Sequence, residues 1–150
     1  MPQSLSNVII HTVFSTKNRV PFLGDPGLRS ETHRYLGGVA KTLKCQPLIV
    51  GGVTDHVHLL TTLARTVSVA DFVKELKRVS CNWLQHDKGI DGFHWQSGYG
   101  VFSVSESQVA RVRGYIELQE EHHRRQTFQE ELRELLRRHG IEFDERYLWD

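Results

Sequence analysis

Two histidines separated by one residue, His56 and His58 in the run Asp55-His56-Val57-His58-Leu59-Leu60, open the chemical inventory of this chain. Alternate side chains of a strand share a face, so both imidazoles point the same way and stand close enough to grip one divalent ion. Two ligands alone make a weak site, and an isolated pair of this kind also reads as one hydrogen-bonded sheet histidine beside an incidental neighbour. A further donor lies downstream, where Gln108, Arg111, Tyr115, Gln119 and His122 recur at spacings of three and four, apart from the apolar stripe Val109, Val112 and Ile116. A glutamine carbonyl is a hard oxygen ligand. Two imidazoles and one carbonyl leave positions open for water or a phosphate oxygen, as a catalytic Mg²⁺ or Mn²⁺ site requires. Tyr115, one helical turn before Gln119, is then a nucleophile in reach of a metal-bound phosphorus. Taken alone, the same face also suits an ordinary amphipathic helix whose tyrosine merely packs.

The surrounding periodicity supplies the elements that must hold these groups. Residues 7–15 (NVIIHTVFS) are β-branched and aromatic and read as a first strand; 28–44 carry a helical stripe weakened by Gly37 and Gly38; 46–53 and 56–63 read as a hairpin turning at Thr54-Asp55. The clearest helix spans 68–88, with Ser68 and Asp71 as a capping box and Val69, Phe72, Val73, Leu76, Val79 and Trp83 as its apolar stripe. A short strand near 100–104 precedes one helix running from Ser105 to about His123. Thr127 and Glu130 cap a last helix with the stripe Phe128, Leu132, Leu135 and Leu136, which stops at Gly140. The aromatics of the tail IEFDERYLWD predict docking. The order β-α-β-β-α-β plus C-terminal helices predicts an α+β, ferredoxin-like (RRM-like) antiparallel sheet with two helices on one face. Its other face stays bare unless a later helix, a second subunit or a nucleic acid covers it.

The 150 residues, 39% apolar and 25% charged, suit a single globular domain over 1–150, with a core at about 7–125 and a C-terminal helix and tail at 126–150. No apolar run approaches the roughly 18 residues of a membrane span. MPQSLSNVII has no charged segment leading into a hydrophobic one, so the chain reads as cytoplasmic and intact from its first residue. Cys45 and Cys81 are too far apart for a Cys-x-x-Cys motif and read as reduced, packed thiols.

Taken together, STKNR, GGVTDHVHLL, SVADFVKELKR, WQSGYGVFSVS and Tyr115-Ile116-x-x-Gln119-x-x-His122-His123 resemble the single-tyrosine HUH transposases of the insertion sequence 200/605 type, over about residues 8–125. Replication initiators also join H-x-H to a tyrosine, but theirs is typically Tyr-x-x-Lys, and Leu118 stands at that position here. The resemblance implies that His56, His58 and Gln119 bind the metal and that Tyr115 is the nucleophile. It also implies a homodimer in which the tyrosine helix of one subunit completes the site of the other, acting on single-stranded DNA hairpins near the element's ends. Attack by Tyr115 would leave a 5′-phosphotyrosyl link and a free 3′-hydroxyl. Because the link keeps the phosphodiester energy, another 3′-hydroxyl reverses the step without ATP. Gly114 would let the tyrosine segment move between the two halves of the exchange, and His122 and His123 have no assigned part.

Lys17, Arg19, Lys74, Lys77, Arg78 and Arg111 are candidates for holding the strand, with Trp95 and Tyr99 as stacking platforms. The net charge of +1 conceals an asymmetry: 13 Lys and Arg against 8 Asp and Glu over 1–115, and 6 against 10 over 116–150. A basic body with an acidic tail fits a cytoplasmic enzyme acting at the nucleoid. Two other readings compete. A non-catalytic RRM-like module would bind single strands on the bare sheet face, but the aromatic-rich signature of such sheets does not occur. A metal-dependent phosphodiesterase would use H-x-H but leaves Tyr115 with Gln119 unexplained.

Overall fold

The computed structural model describes residues 3–150. Four strands, β1 (Ile9–Ser15), β2 (Pro47–Gly52), β3 (His56–Thr62) and β4 (Gly100–Val104), form one antiparallel sheet in the order β2-β3-β1-β4. Helices α1 (Pro26–Thr42) and α2 (Val69–Asn82) cover one face. α1 starts two residues ahead of the predicted 28–44, where Asp25 accepts from the Leu28 N–H at 2.9 Å with Pro26 in the first turn, whereas α2 starts at its predicted cap, Ser68 accepting from the Asp71 N–H at 3.0 Å. Gly37 and Gly38 do not interrupt α1. The period of two along β1 and β3 sends Ile10, Phe14, Val57 and Leu59 into the core that Leu36, Phe72, Val73 and Leu76 complete. Cys45 and Cys81 are free thiols, as predicted.

The alternate side chains, Ile9, His11 and Val13 of β1 with His56, His58 and Leu60 of β3, face the other way. That face is covered by the chain itself, through α3 (Val109–Glu117), the short α4 (Gln119–His122) and α5 (Phe128–Arg138). Phe128, Leu132, Leu135 and Leu136 of α5 pack with Val13 and Phe102, and Phe143, Leu148 and Trp149 of the tail close over them, the docking that the tail's aromatics predict. Burying each large side chain contributes roughly 1.5–3 kcal/mol, enough together to seat a helix that also carries a buried carboxylate.

The single helix predicted over 105–123 is corrected. A tight turn at Glu106–Gln108 precedes α3, and the helix breaks at Leu118 (φ −100°, ψ 24°) before α4. Leu118 points to solvent, whereas Ile116 and Gln119 on either side are buried. The break re-aims the last turn so that Gln119 enters the sheet face while Ile116 stays packed on it.

Candidate active site

His56 and His58 are both fully buried on the sheet face beneath α3 and α5. Each ring is fixed through one nitrogen. His56 Nδ1 lies 2.8 Å from Asp55 Oδ1, and His58 Nδ1 lies 2.7 Å from Nε2 of His11, a β1 residue beside Val13, the register partner of His58. The two Nε2 atoms then converge on one carboxylate, Glu131 of α5, whose Oε1 is 2.9 Å from His58 and 3.2 Å from His56. His123 brings its Nε2 to 3.2 Å from the same oxygen. Gln119 sits between them, its Oε1 3.2 Å from His56 Nε2 and its amide donating to Glu131 Oε2 at 3.1 Å. The Tyr115 hydroxyl also donates to Glu131 Oε2.

Local sequence explains how these groups arrive. α3 lies so close to β2 that a Cβ on Gly51 would stand 2.8 Å from Ile116 Cγ2 and 2.9 Å from its carbonyl oxygen. Glycine there lets the helix sink onto the sheet and brings Tyr115 within 5.9 Å of His58, ring centre to ring centre. Gly52 (φ 151°) turns the hairpin in a space where a Cβ would strike the His56 carbonyl. Glu131 falls on the apolar stripe of α5, between Phe128 and Leu132, and Thr127 anchors that helix by accepting from the Glu130 N–H at 3.2 Å.

The charges follow from this packing. Burial works against a charge on His56, but Asp55 and Glu131 outweigh it and push the ring up to about 9. Burial holds His58 and, more strongly, His11 below the ordinary histidine value. Burial also opposes ionisation of Glu131, yet the His58 ring, the approach of His123 and the hydrogen bonds from His56 and His58 hold it well below the usual carboxylate range. Tyr115 is raised well above the ordinary phenol value, first by burial and then by the Glu131 charge and hydrogen bond. In this state the phenol stays protonated.

The donor set fits a divalent ion. Ligand atoms of His56, His58, His123 and Glu131 all lie within 4.8 Å of one another, and His123 Nε2 is a buried nitrogen without a hydrogen-bond partner. With Asp55 and His11 holding the Nδ1 sides, the Nε2 atoms of His56 and His58 are the ones presented inward, free to take a metal once their protons are displaced, the orienting role that outer carboxylates and neighbouring rings play around bound metals. The sequence assigns no part in the site to His11 or Glu131, and to Asp55 only a place in the hairpin turn. The signals for two of them were a histidine in the strand alternation Ile9-His11-Val13 and a glutamate on an otherwise apolar helix stripe.

The remaining candidates divide by place. Arg19 follows β1 in a turn where Asn18 and Arg19 both adopt left-handed φ of 57° and 55°, and it lines a cleft with Arg29, Asp55, His123, Arg124 and Arg125. Lys17 stands in the same turn, its N–H donating to the His94 carbonyl at 2.8 Å. Arg111 lines a second cleft with His11, Ser103, Gln108, Tyr115 and Arg138. The cluster around Glu131 therefore sits between two clefts that each carry arginines. Lys74, Lys77 and Arg78 are on α2, across the sheet from the histidines. Lys77 is committed there, its ammonium donating to the carbonyls of Gln96 (2.8 Å), Ser97 (3.2 Å) and Gly98 (2.6 Å), while Arg78 pairs with Glu75. Trp95 is a core side chain, donating to Ser80 Oγ at 2.9 Å, and Tyr99 is exposed beside Lys77. His122 packs on the Tyr115 ring, centres 4.6 Å apart. Tyr115 lies in the site of its own chain.

Residues 4–119 match the family model described as "Transposase IS200 like". The chain belongs to this family. Among similar proteins, the ISDra2 transposase TnpA of Deinococcus radiodurans is 35% identical over 71 residues, covering 43% of this chain and 51% of that protein. The chain thus spans about half the length of that curated relative. A solved structure of a candidate transposase from Deinococcus radiodurans R1 aligns over 79% of this chain and 98% of its own, with 26% identity and a TM-score of 0.62. A REP-associated tyrosine transposase, solved bound to a REP hairpin, shares the fold over 82% of this chain and 72% of its own, with 15% identity and a TM-score of 0.59. For this IS200-like transposase chain the matched span contains His56, His58, Tyr115 and Gln119; His123 and Glu131 lie C-terminal to it.

Proposed function

We propose that this IS200-like transposase cleaves and rejoins single-stranded DNA at hairpin-marked ends, with Tyr115 as nucleophile and His56, His58 and Gln119 as ligands of Mg²⁺ or Mn²⁺. The observation that carries the reading is the convergence of the Tyr115 hydroxyl and the Nε2 atoms of His56 and His58 on the two oxygens of one buried carboxylate. The two arginine-bearing clefts provide a path for phosphates on either side of Tyr115. The hairpin carried by the REP-associated relative supports a folded single strand as substrate.

The steps assigned to this chain are few. Tyr115 Oη attacks the scissile phosphorus and the P–O3′ bond breaks. The DNA 5′ end stays on Tyr115, and the departing 3′ oxygen leaves as a hydroxyl. The hydrogen bond to Glu131 Oε2 orients the Tyr115 hydroxyl, and the proton that Tyr115 loses is balanced by the one that the departing 3′ oxygen takes up. A bound divalent ion polarises the phosphate and offsets the negative charge that otherwise keeps Tyr115 protonated. Rejoining is the reverse step with a different 3′-hydroxyl, so ATP is not required.

The homodimer with the tyrosine helix in trans, which the resemblance implies, would require α3 to leave its seat on Gly51; the in-cis juxtaposition of Tyr115 and His58 supports attack within one chain. Coverage of the histidine-bearing sheet face by α3 and α5 weighs against an RRM-like module, which needs that face open to bases. No helix among the described residues is long and apolar enough to cross a membrane, and the cytoplasm is the compartment proposed. The test is incubation of the full chain with labelled hairpin single strands and a divalent metal. Wild type should give a denaturant-resistant protein–DNA adduct and Tyr115→Phe none. An adduct formed equally by the phenylalanine variant removes the assigned nucleophile, and hydrolysis or binding without adduct removes the transposase reading.

A further inference from the structure

Glu131 uses its two oxygens differently. Oε1 faces three imidazole nitrogens, at 2.9 Å from His58, 3.2 Å from His56 and 3.2 Å from His123, while Oε2 receives the Tyr115 hydroxyl and the Gln119 amide. A divalent ion with ligand bonds of about 2.1 Å holds neighbouring octahedral ligands about 3.0 Å apart. The separations around Oε1 are those of groups that could share such an ion. The carboxylate is 1% exposed, so it stands where solvent does not screen it, and the His123 nitrogen beside it has no other partner.

We propose that His123 and Glu131 Oε1 are metal ligands alongside His56 and His58, that Glu131 Oε2 ties the nucleophile Tyr115 to the same centre, and that this imidazole-rich set takes a first-row transition ion in preference to Mg²⁺. The inference rests on the proposed metal role of the two histidines of β3 and adds to it. With Gln119 it makes five protein donors, leaving one of about six positions for a phosphate oxygen. Imidazole nitrogens suit transition ions, whereas Mg²⁺ prefers oxygen ligands and retains its waters. Both added ligands lie beyond the span matched by the family model, in the segment that folds back over the sheet. That makes α5 a part of the metal centre as well as a cover for the core, so bound metal holds α5 in place.

The test uses the full chain, stripped of metal and without DNA, titrated calorimetrically with Mg²⁺, Mn²⁺ and Co²⁺. Affinities should rise in the order Mg²⁺, Mn²⁺, Co²⁺, with the extremes separated on the order of 100-fold. Nitrogen modulation of the Mn²⁺ spin-echo signal should report three imidazoles. Glu131→Gln, Glu131→Ala and His123→Ala should each lose about 10- to 100-fold in Mn²⁺ affinity, while Glu75→Ala, on α2 across the sheet, should stay within about threefold. Equal affinity for Mg²⁺ and Co²⁺, two imidazoles instead of three, or unchanged Mn²⁺ binding by Glu131→Gln overturns the proposal. Metal-free melting curves check that the variants fold; if one does not, the nitrogen count on wild type decides. Adduct formation is scored separately: a wild type that binds Mn²⁺ as described but forms no adduct sinks the transposase reading and leaves the ligand set standing.

Discussion

His11 of β1 places its Nε2 2.7 Å from Nδ1 of His58 across the strand pair, and both rings are buried. Burial keeps both rings below the ordinary histidine value, so with His58 Nε2–H donating to Glu131 its Nδ1 accepts from His11; a metal taking Nε2 would reverse the tautomer, and His11 would then accept the Nδ1 proton and hold the ring in place. His11→Ala should lower metal affinity about 10- to 100-fold, measured by titration of the metal-free protein. An unchanged affinity would show that His58 needs no orienting partner.

The raised value of His56 has a definite sign. A base held up to about 9 in the folded, metal-free protein, from 6.5 when unfolded, contributes stability that is fully present below pH 6.5 and lost as pH rises through about 9. A metal ion must also displace that proton, so affinity should climb with pH and level off near 9. Asp55→Ala should flatten both dependences. Melting temperatures and metal titrations from pH 6 to about 10 check this, and an unaltered slope in the variant would assign it to another group.

Gly51 sets the height of α3 above the sheet. Gly51→Ala puts a methyl group against the Ile116 carbonyl, so the helix must lift. A displacement near 1 Å at the nucleophile costs about 100-fold in rate. The adduct should therefore form about 100-fold more slowly, while Mn²⁺ affinity falls by less than that, since His56, His58 and Glu131 keep their places and only the ligands that follow α3 shift with it.

Gly114 differs, because a Cβ there meets nothing within 4 Å. Gly114→Ala should raise stability by up to about 1 kcal/mol in a thermal melt. If the tyrosine segment moves between cleavage and rejoining, the same variant should cleave normally and rejoin slowly. Full strand transfer would end the idea of a hinge at this residue.

The basic candidates separate by experiment. Arg111→Ala, beside Tyr115, should weaken hairpin binding and reduce the salt slope by about 0.7, the share of one phosphate contact on a single strand. Lys77→Ala should lower the melting temperature, because three carbonyls lose their donor, yet leave hairpin binding intact. Equal losses of binding in both variants would bring α2 into the DNA path.

The amino-acid sequence by itself determined what local periodicity controls. A period of two put His56 and His58 on one face, Ser68 and Thr127 began their helices, and the stripe of α5 named its buried side. The resemblance carried by Tyr115 and Gln119 led to the family that residues 4–119 match. Only the tertiary structure decided which groups meet across the sheet. Glu131 is 73 residues from His58 and reaches it because α5 folds onto the face that the βαββαβ pattern leaves bare. The break at Leu118 was equally invisible, since the sequence around it favours a continuous helix and the burial of Gln119 redirects it. The pattern of side chains fixes which face of an element is apolar, but docking between elements far apart in the chain depends on shape and on the partners offered to buried polar groups, and no local spacing records either.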